Sequence, residues 1–545
     1  MGGSPPLARV FTHDADDGES AAAGMPVDAF NDPYARKAAI LAGLGLGETR
    51  FRRASGAPNC ELVSVAVPRT RVQASLAVSG NTVQVQLQYL PHGNLDLALA
   101  VHGAAYVRYV ATAWDRWCRL APEKRCRFFR RETESSGSKK NTNTHWSAGV
   151  PALVPPNFTS HNTPNAQPGV DVHAQTCWYH TDTETPMFAG LVDSLAGDMR
   201  VLAEIVRSLE FDLKNDLWNM HNKFYYALTT HPGHHAAKDN AGGYCYLNNA
   251  AVLAKALTKS SLNLTRVAIL DVDYHAGNGT CSLFYHDPDV LVVSIHASPE
   301  GEYPWNSGYA TEQGSGRGLH KTINVPLPPA STWAEYEPAL VATIRAIKKH
   351  DAQVLVVSLG LDTHEFDPVQ ERETAGMSLN YDDYEKMGAL IAGCGVATVF
   401  VQEGGYNLEA AGSIVASVFR GMESGFCSAN PERGESAETI ATNVLAEITK
   451  SFPKRFVDQT KPDRGAPAVT YDDELESDDG DSDGDSEGEK TVSPVPASPL
   501  KSPKDPPKKH PGNTPGPAVS ATPTKPTEPT KPEPKQKTKG GWFGF

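Results

Sequence analysis

The chain lacks the features of a secreted or membrane protein. No segment approaches the ~20 apolar residues that a helix needs to span a bilayer. The first residues, MGGSPPLARV, contain no apolar core of a secretory signal. The eight cysteines are scattered, and none forms a CxxC pair. These absences predict an intracellular protein with free thiols, located in the nucleus, the cytoplasm or both.

Other absences exclude several classes of function. Positive charge is in deficit, with 50 Lys+Arg against 64 Asp+Glu and a net charge of −14, which argues against binding to nucleic acid or to an anionic membrane. No GxSxG motif is present, so a serine-hydrolase nucleophile is not expected. The glycine-rich stretch 314–318 lacks the Lys-Ser/Thr of a P-loop, and we interpret it as a flexible loop.

Composition divides the chain into three parts. Residues 1–30 are rich in Gly, Ala and Asp, and we expect disorder there. Residues 31–450 contain nearly all the apolar residues and predict one large domain, with a polar insertion at about 121–170. Residues 451–545 form an acidic and then Pro/Lys-rich tail that we expect to be disordered. Regulatory partners are expected on this tail, and a homo-oligomer is left open.

The large domain shows an alternation of apolar runs and helical patterns. The runs are rich in β-branched residues and lie at 266–270, 290–295, 354–359 and 397–401. Continuous β-branched runs alternating with helices predict a parallel sheet buried on both faces. We therefore expect a three-layer α/β/α fold with a central parallel sheet, and a ligand site beyond the carboxyl ends of the strands.

Ionisable side chains follow these runs. The first run is followed by Asp271, Asp273 and His275, which point the same way in an extended chain. The later runs are followed by Asp362 and by Tyr406. One imidazole and two carboxylates form a suitable ligand set for Zn²⁺. A single Asp at a strand end is more often a helix N-cap, but three ionisable groups on one face of a buried strand are costly without a cation.

Several motifs resemble those of a known family. Four segments of this chain resemble signature blocks of the zinc-dependent histone deacetylases: HPGHHAAKDNAGGYCYLNNAA (231–251), LDVDYHAGNGT (270–280), VVSLGLDTHEFDP (356–368) and EGGY (403–406). The acetylpolyamine amidohydrolases, a class II-like branch, are similar in YPWNSGYATEQGSGRG (303–318) and NVPLPP (324–329). The resemblance covers roughly residues 80–425 and implies the arginase-deacetylase fold.

The resemblance also implies a role for each matching residue. The implied zinc ligands are Asp273, His275 and Asp362. The implied catalytic residues are the tandem pair His234 and His235, the carboxylate Asp271 that partners His234, and the oxyanion-stabilising Tyr406. The implied walls of a narrow substrate tunnel are Gly243, Tyr244 and Tyr303. The implied site for a monovalent cation, usually potassium, consists of Asp271 and Ser294.

The sequence departs from the family pattern in two places. Thr230 and His231 stand where the family often has Arg and Pro, which puts the packing of the loop in doubt. Asn278 stands where some members have Asp, and an Asn should leave His235 less basic.

The implied reaction is zinc-dependent removal of acetyl groups, with His235 as general base. The substrate stays open between acetyl-lysine in histones or other proteins, which the regulatory tail slightly favours, and acetylpolyamines, which Glu300 and Glu302 could attract. A non-catalytic scaffold protein is the alternative of another class, and the ligand set disfavours a two-manganese ureohydrolase.

Overall fold

The computed structural model describes most of the large domain. The described residues are 8–13, 31–46, 53–65, 95–121, 152–159, 166–215, 217, 224–370 and 376–426. All of them belong to one compact unit, residues 1–466. The predicted tail lies outside the described residues, as does most of the predicted insertion. No helix among the described residues is long and apolar enough to cross a membrane.

A single parallel sheet of eight strands forms the centre. The strands are β1 (Ala8–His13), β2 (Cys60–Val65), β3 (Phe224–Ala227), β4 (Val267–Asp271), β5 (Val290–Ala297), β6 (Thr322–Leu327), β7 (Val354–Leu359) and β8 (Ala397–Gln402). Their spatial order is β2-β1-β3-β8-β7-β4-β5-β6, and every pair is parallel. The four predicted apolar runs correspond to β4, β5, β7 and β8, which are neighbours in the sheet.

Helices cover both faces of this sheet. They are α1 (Pro33–Gly43), α2 (Ala104–Cys118), α3 (Val172–Tyr179), α4 (Leu191–Lys214), α5 (Asn249–Thr258), α6 (Asn278–Leu283), α7 (Trp333–Lys349), α8 (Tyr381–Ala392) and α9 (Leu408–Phe426). Alternate residues of β7 enter different cores: Val354 and Val356 pack with α4 and α5, whereas Leu355 and Val357 pack with α7, α8 and α9. Burial on both faces confirms the predicted three-layer α/β/α class.

The N-terminal segment differs from the expectation. Residues 1–30 were expected to be disordered, yet Ala8–His13 form β1 between β2 and β3. Ala8 pairs with Phe224, more than two hundred positions along the chain. The strands β2 and β3 supply the backbone hydrogen-bond partners that this short strand needs, and neither of them lies directly next to β1 in the sequence. Local composition therefore could not reveal this strand.

Candidate active site

A candidate metal group lies where β4 and β7 end. The ligand atoms of Asp273, His275 and Asp362 all lie within 4.8 Å of one another. His275 Nδ1 is 3.4 Å from Asp273 Oδ1 and 3.5 Å from Asp362 Oδ2. Because β4 and β7 are adjacent and parallel, their carboxyl ends meet at one edge. The structure thus brings the three predicted ligands together.

The donor set fits a divalent cation. Asp362 Oδ1 accepts a hydrogen bond from the backbone N–H of Tyr274 at 2.9 Å, but Oδ2 is buried and has no hydrogen-bond partner. Burial lowers the pKa of His275, but the two carboxylates outweigh it and raise this pKa to about 9. The site therefore attracts positive charge. One imidazole and two carboxylates supply three protein ligands. Catalytic zinc sites have this number of protein ligands and keep a fourth position for water or substrate.

His234 is linked to the carboxylate of Asp271. Its Nδ1 lies 3.0 Å from Asp271 Oδ2, and its Nε2 lies 3.6 Å from Asp273 Oδ1. Burial would lower the pKa of His234, yet the charges of Asp273 and Asp271 raise it well above the ordinary value. The His234 imidazole is therefore suited to carry a positive charge.

His235 has the opposite character. Its Nδ1 lies 2.7 Å from Asn278 Oδ1, which can only accept, so Nδ1 carries the proton and Nε2 is free to act as a base. Burial, followed by the nearby His234 and His275, lowers the pKa of His235 well below its ordinary value. The two adjacent histidines therefore differ in charge because they have different partners.

Tyr406 is a buried proton donor. Burial, followed by the charge of Tyr244 and Asp362, raises the pKa of its hydroxyl well above the ordinary value, so it stays protonated. The guanidinium carbon of Arg36 lies 5.7 Å from the ring centroid. The Arg36 side chain also donates to the backbone carbonyls of Gly405 and Thr230, both at 3.2 Å. Arg36 thus joins the segment of Tyr406 to the segment of the tandem histidines.

The predicted tunnel residues surround the histidines and Tyr406. The Tyr303 ring contacts the His235 ring edge to face, with centroids 4.8 Å apart. The rings of Tyr244 and Tyr406 lie 5.9 Å apart. Gly243 adopts φ +56°, and a Cβ at this position would lie 2.3 Å from His235 Cδ2. Only glycine leaves the His235 ring in its position.

Two acidic residues that the sequence analysis missed act electrostatically on Tyr303. Burial, followed by the charges that include Asp182 and Glu184, raises the pKa of the Tyr303 hydroxyl. Asp182 Oδ2 accepts from the backbone N–H of Gly243 at 2.5 Å. Of the two residues expected to attract a polyamine, Glu300 is exposed and Glu302 is buried, at 8 % exposure. Asp182 and Glu184 add negative charge at Tyr303 from a segment far away in sequence.

Asp271 and Ser294 are neighbours across β4 and β5. Ser294 Oγ lies 2.7 Å from His296 Nδ1 and accepts from the Gly277 N–H at 3.3 Å. The two predicted cation-site residues are therefore adjacent.

A second group of possible metal ligands contains His234, Cys245 and Glu403. The Glu403 carboxylate already accepts from the backbone N–H groups of Gly233 and His234, at 2.6 and 3.1 Å, and from Ser358 Oγ at 3.0 Å. Because these donors satisfy it, Glu403 fastens the tandem-histidine loop to β7 and β8. Arg36 and Asp182 were missed because the partners named above lie far along the chain, whereas Glu403 belongs to the EGGY motif but was given no role.

Comparisons with known proteins agree with this geometry. A family model described as "Histone deacetylase domain" matches residues 68–422. Acetylpolyamine amidohydrolase 2 of Pseudomonas aeruginosa is 35% identical over 323 residues, covering 59% of this chain and 81% of that protein. Acetylpolyamine amidohydrolase of Mycoplana ramosa is 34% identical over 334 residues, covering 61% and 84%.

A solved structure of acetylpolyamine aminohydrolase from Burkholderia pseudomallei supports the fold. It aligns with a TM-score of 0.55 and 24% identity, covering 77% of this chain and 99% of the other. The family model spans more than half of the chain and includes every predicted site residue. The chain therefore belongs to the histone deacetylase domain family and is a hydrolase of the deacetylase type.

Proposed function

We propose that the protein is a zinc-dependent deacetylase of small, positively charged acetylated amines, such as acetylpolyamines. The observation that carries the substrate class is the carboxylate of Asp182, which accepts from the backbone N–H of the tunnel residue Gly243 and, together with Glu184, acts electrostatically on Tyr303. The names of the two curated relatives point the same way. Acetyl-lysine in histones or other proteins is the second candidate, which the family model supports.

Asp273, His275 and Asp362 would hold the zinc ion. When bound, zinc polarises a carbonyl and lowers the pKa of a water molecule. His235 Nε2 takes a proton from the attacking water, because its Nδ1 is already bound to Asn278. The same nitrogen then returns the proton to the departing amine. His234, paired with Asp271, contributes positive charge beside the metal group.

Tyr406 stabilises the oxyanion. Its hydroxyl is protonated at neutral pH because burial raises its pKa, so it can donate a hydrogen bond to the oxygen of the tetrahedral intermediate. Such a donor contributes about 10²–10³ in kcat in other acyl-transfer enzymes. Tyr406→Phe should therefore reduce kcat by about this factor. Full activity in this variant would contradict the mechanism, whereas a wild-type protein without deacetylase activity would favour the non-catalytic alternative.

We also assign Asp271 and Ser294 to a monovalent cation, with potassium as the candidate. Their adjacency across β4 and β5 supports the assignment. Dependence of activity on potassium against sodium at constant ionic strength tests it.

The amine end of the substrate is expected near Glu184. An acetylated amine that fills the tunnel places its acetyl group at the metal and its other end at the mouth. A carboxylate there attracts an ammonium group by about 0.2–1 kcal/mol when water screens the pair. N-acetylputrescine carries such an ammonium group, whereas N-pentylacetamide has a similar length and no charge.

The experiment compares these two substrates on two variants. Glu184→Gln should raise KM for N-acetylputrescine by about 1.5- to fivefold, the equivalent of that energy, and should leave N-pentylacetamide unaffected. Glu337→Gln is the matched control, because Glu337 is an exposed carboxylate on α7. Equal KM values for both substrates in the wild type would refute the cationic preference. A kcat/KM on acetyl-lysine peptides above that on acetylpolyamines would favour the second candidate.

A further inference from the structure

The position of Tyr406 depends on contacts outside its own segment. Two glycines precede it, and Gly405 adopts φ +114°, a conformation that glycine reaches without strain. Gly404 donates its backbone N–H to Asp273 Oδ2 at 2.9 Å. A glycine pair gives the chain wide freedom, so the tyrosine itself needs an anchor.

A buried carboxylate from another segment provides this anchor. Asp367 Oδ2 accepts hydrogen bonds from the backbone N–H of Tyr406 at 2.7 Å and of Asn407 at 3.1 Å. Its other oxygen, Oδ1, accepts from the Val369 N–H at 3.1 Å. Asp367 is 3% exposed, so bulk water does not compete for these bonds.

Asp367 lies on the segment that also carries the metal-group residue Asp362. Within this segment the Asp367 N–H donates to the His364 carbonyl at 2.9 Å, and Gln370 Nε2 donates to the carbonyls of Asp362 and His364. The carboxylate therefore fixes Tyr406 relative to the segment that supplies Asp362.

Helix capping alone does not explain this carboxylate. Helix α9 follows Tyr406, and Asn407 Oδ1 already accepts from the Ala410 N–H at 3.1 Å. The helix thus has its own side-chain cap. The shortest bond of Asp367 goes to Tyr406 itself.

We propose that Asp367 is a positioning residue for Tyr406, which sets the place of the tyrosine hydroxyl relative to the acetyl carbonyl. The inference rests on the proposed function, because it gives Asp367 a role in oxyanion stabilisation. It predicts that loss of Asp367 acts through Tyr406 and through no other catalytic group.

The test is a double-mutant cycle with N-acetylputrescine on the full chain. Asp367→Asn keeps the size of the side chain but replaces one accepting oxygen with an NH₂ group. The side chain can then no longer accept from the backbone N–H groups on both of its sides. We expect kcat to fall about tenfold to a hundredfold, as for a catalytic group displaced by about 1 Å, with KM nearly unchanged. In the Tyr406→Phe background, Asp367→Asn should cause no further fall. An equal fall in both backgrounds, or an unchanged kcat in the single variant, would overturn the proposal.

Asp383→Asn is the matched control. Asp383 is another buried aspartate that accepts a backbone N–H, at the start of α8. This variant should lower the melting temperature without changing kcat. If Asp367→Asn does not fold, Asp367→Glu replaces it in the cycle, because it keeps the charge and shifts the oxygens. Wild-type kcat in Tyr406→Phe would contradict the proposed function, whereas a low kcat in Tyr406→Phe with a normal kcat in the Asp367 variant contradicts only this inference.

Discussion

Gly243→Ala should separate backbone strain from displacement of the general base. Gly243 has φ +56°, and an added Cβ would lie 2.3 Å from His235 Cδ2 and 2.8 Å from Cγ. Ordinary contact begins at 3.4 Å, so the ring must retreat by about 1 Å, a displacement that can cost about 10²-fold in rate. The left-handed conformation itself costs an alanine about 1–2 kcal/mol of stability.

Gly395→Ala is the control for this substitution. Gly395 has φ +72°, and its added Cβ would meet no atom within 4 Å. Both variants should therefore lose similar stability in thermal unfolding, about 1–2 kcal/mol. Only Gly243→Ala should lose kcat, by about 10²-fold, in a steady-state deacetylation assay. If Gly243→Ala keeps the kcat of the control, then the place of the His235 ring does not limit the reaction.

Two further predictions concern the base and the metal group. Asn278→Asp should raise the pKa of His235, because a negative charge would face Nδ1. Since the base works only when neutral, the acidic limb of kcat/KM should move to higher pH, and an unmoved limb would contradict the assigned contact. Elemental analysis should detect zinc in the wild type and in Asp383→Ala, which removes a buried aspartate from outside the metal group, but not in Asp362→Ala. Chelation should abolish wild-type activity and added zinc should restore it, because the proposed mechanism needs the metal to polarise the carbonyl and to activate the water.

The strands and their functional ends could be predicted because the signal is local. A continuous apolar run predicts a buried strand, and the residues after it lie at its carboxyl end. The strand-end pattern therefore pointed to Asp273, His275 and Asp362 among other ionisable residues, the resemblance selected these three as ligands, and the structure places them together. The tandem histidines and the tunnel residues follow no apolar run, and they were assigned through the resemblance of their motifs.

The supporting residues could not be predicted, because each acts through a partner far along the chain. Arg36 contacts the carbonyl of Gly405, 369 positions away, and Asp182 contacts the N–H of Gly243, 61 positions away. Neither forms a motif with its neighbours. The same reason applies to β1, whose partner β3 lies more than two hundred positions along the chain.

The buried charges at the catalytic edge explain why two adjacent histidines differ. Asp271, Asp273 and Asp362 bring three negative charges into the interior, where unpaired charge is costly. A divalent ion would balance two of them, and a proton on His234 would balance the third. Burial, followed by the nearby His234 and His275, lowers the pKa of His235 and disfavours a second proton there. Charge balance therefore favours a protonated His234 and leaves His235 neutral, which is the form that a general base requires.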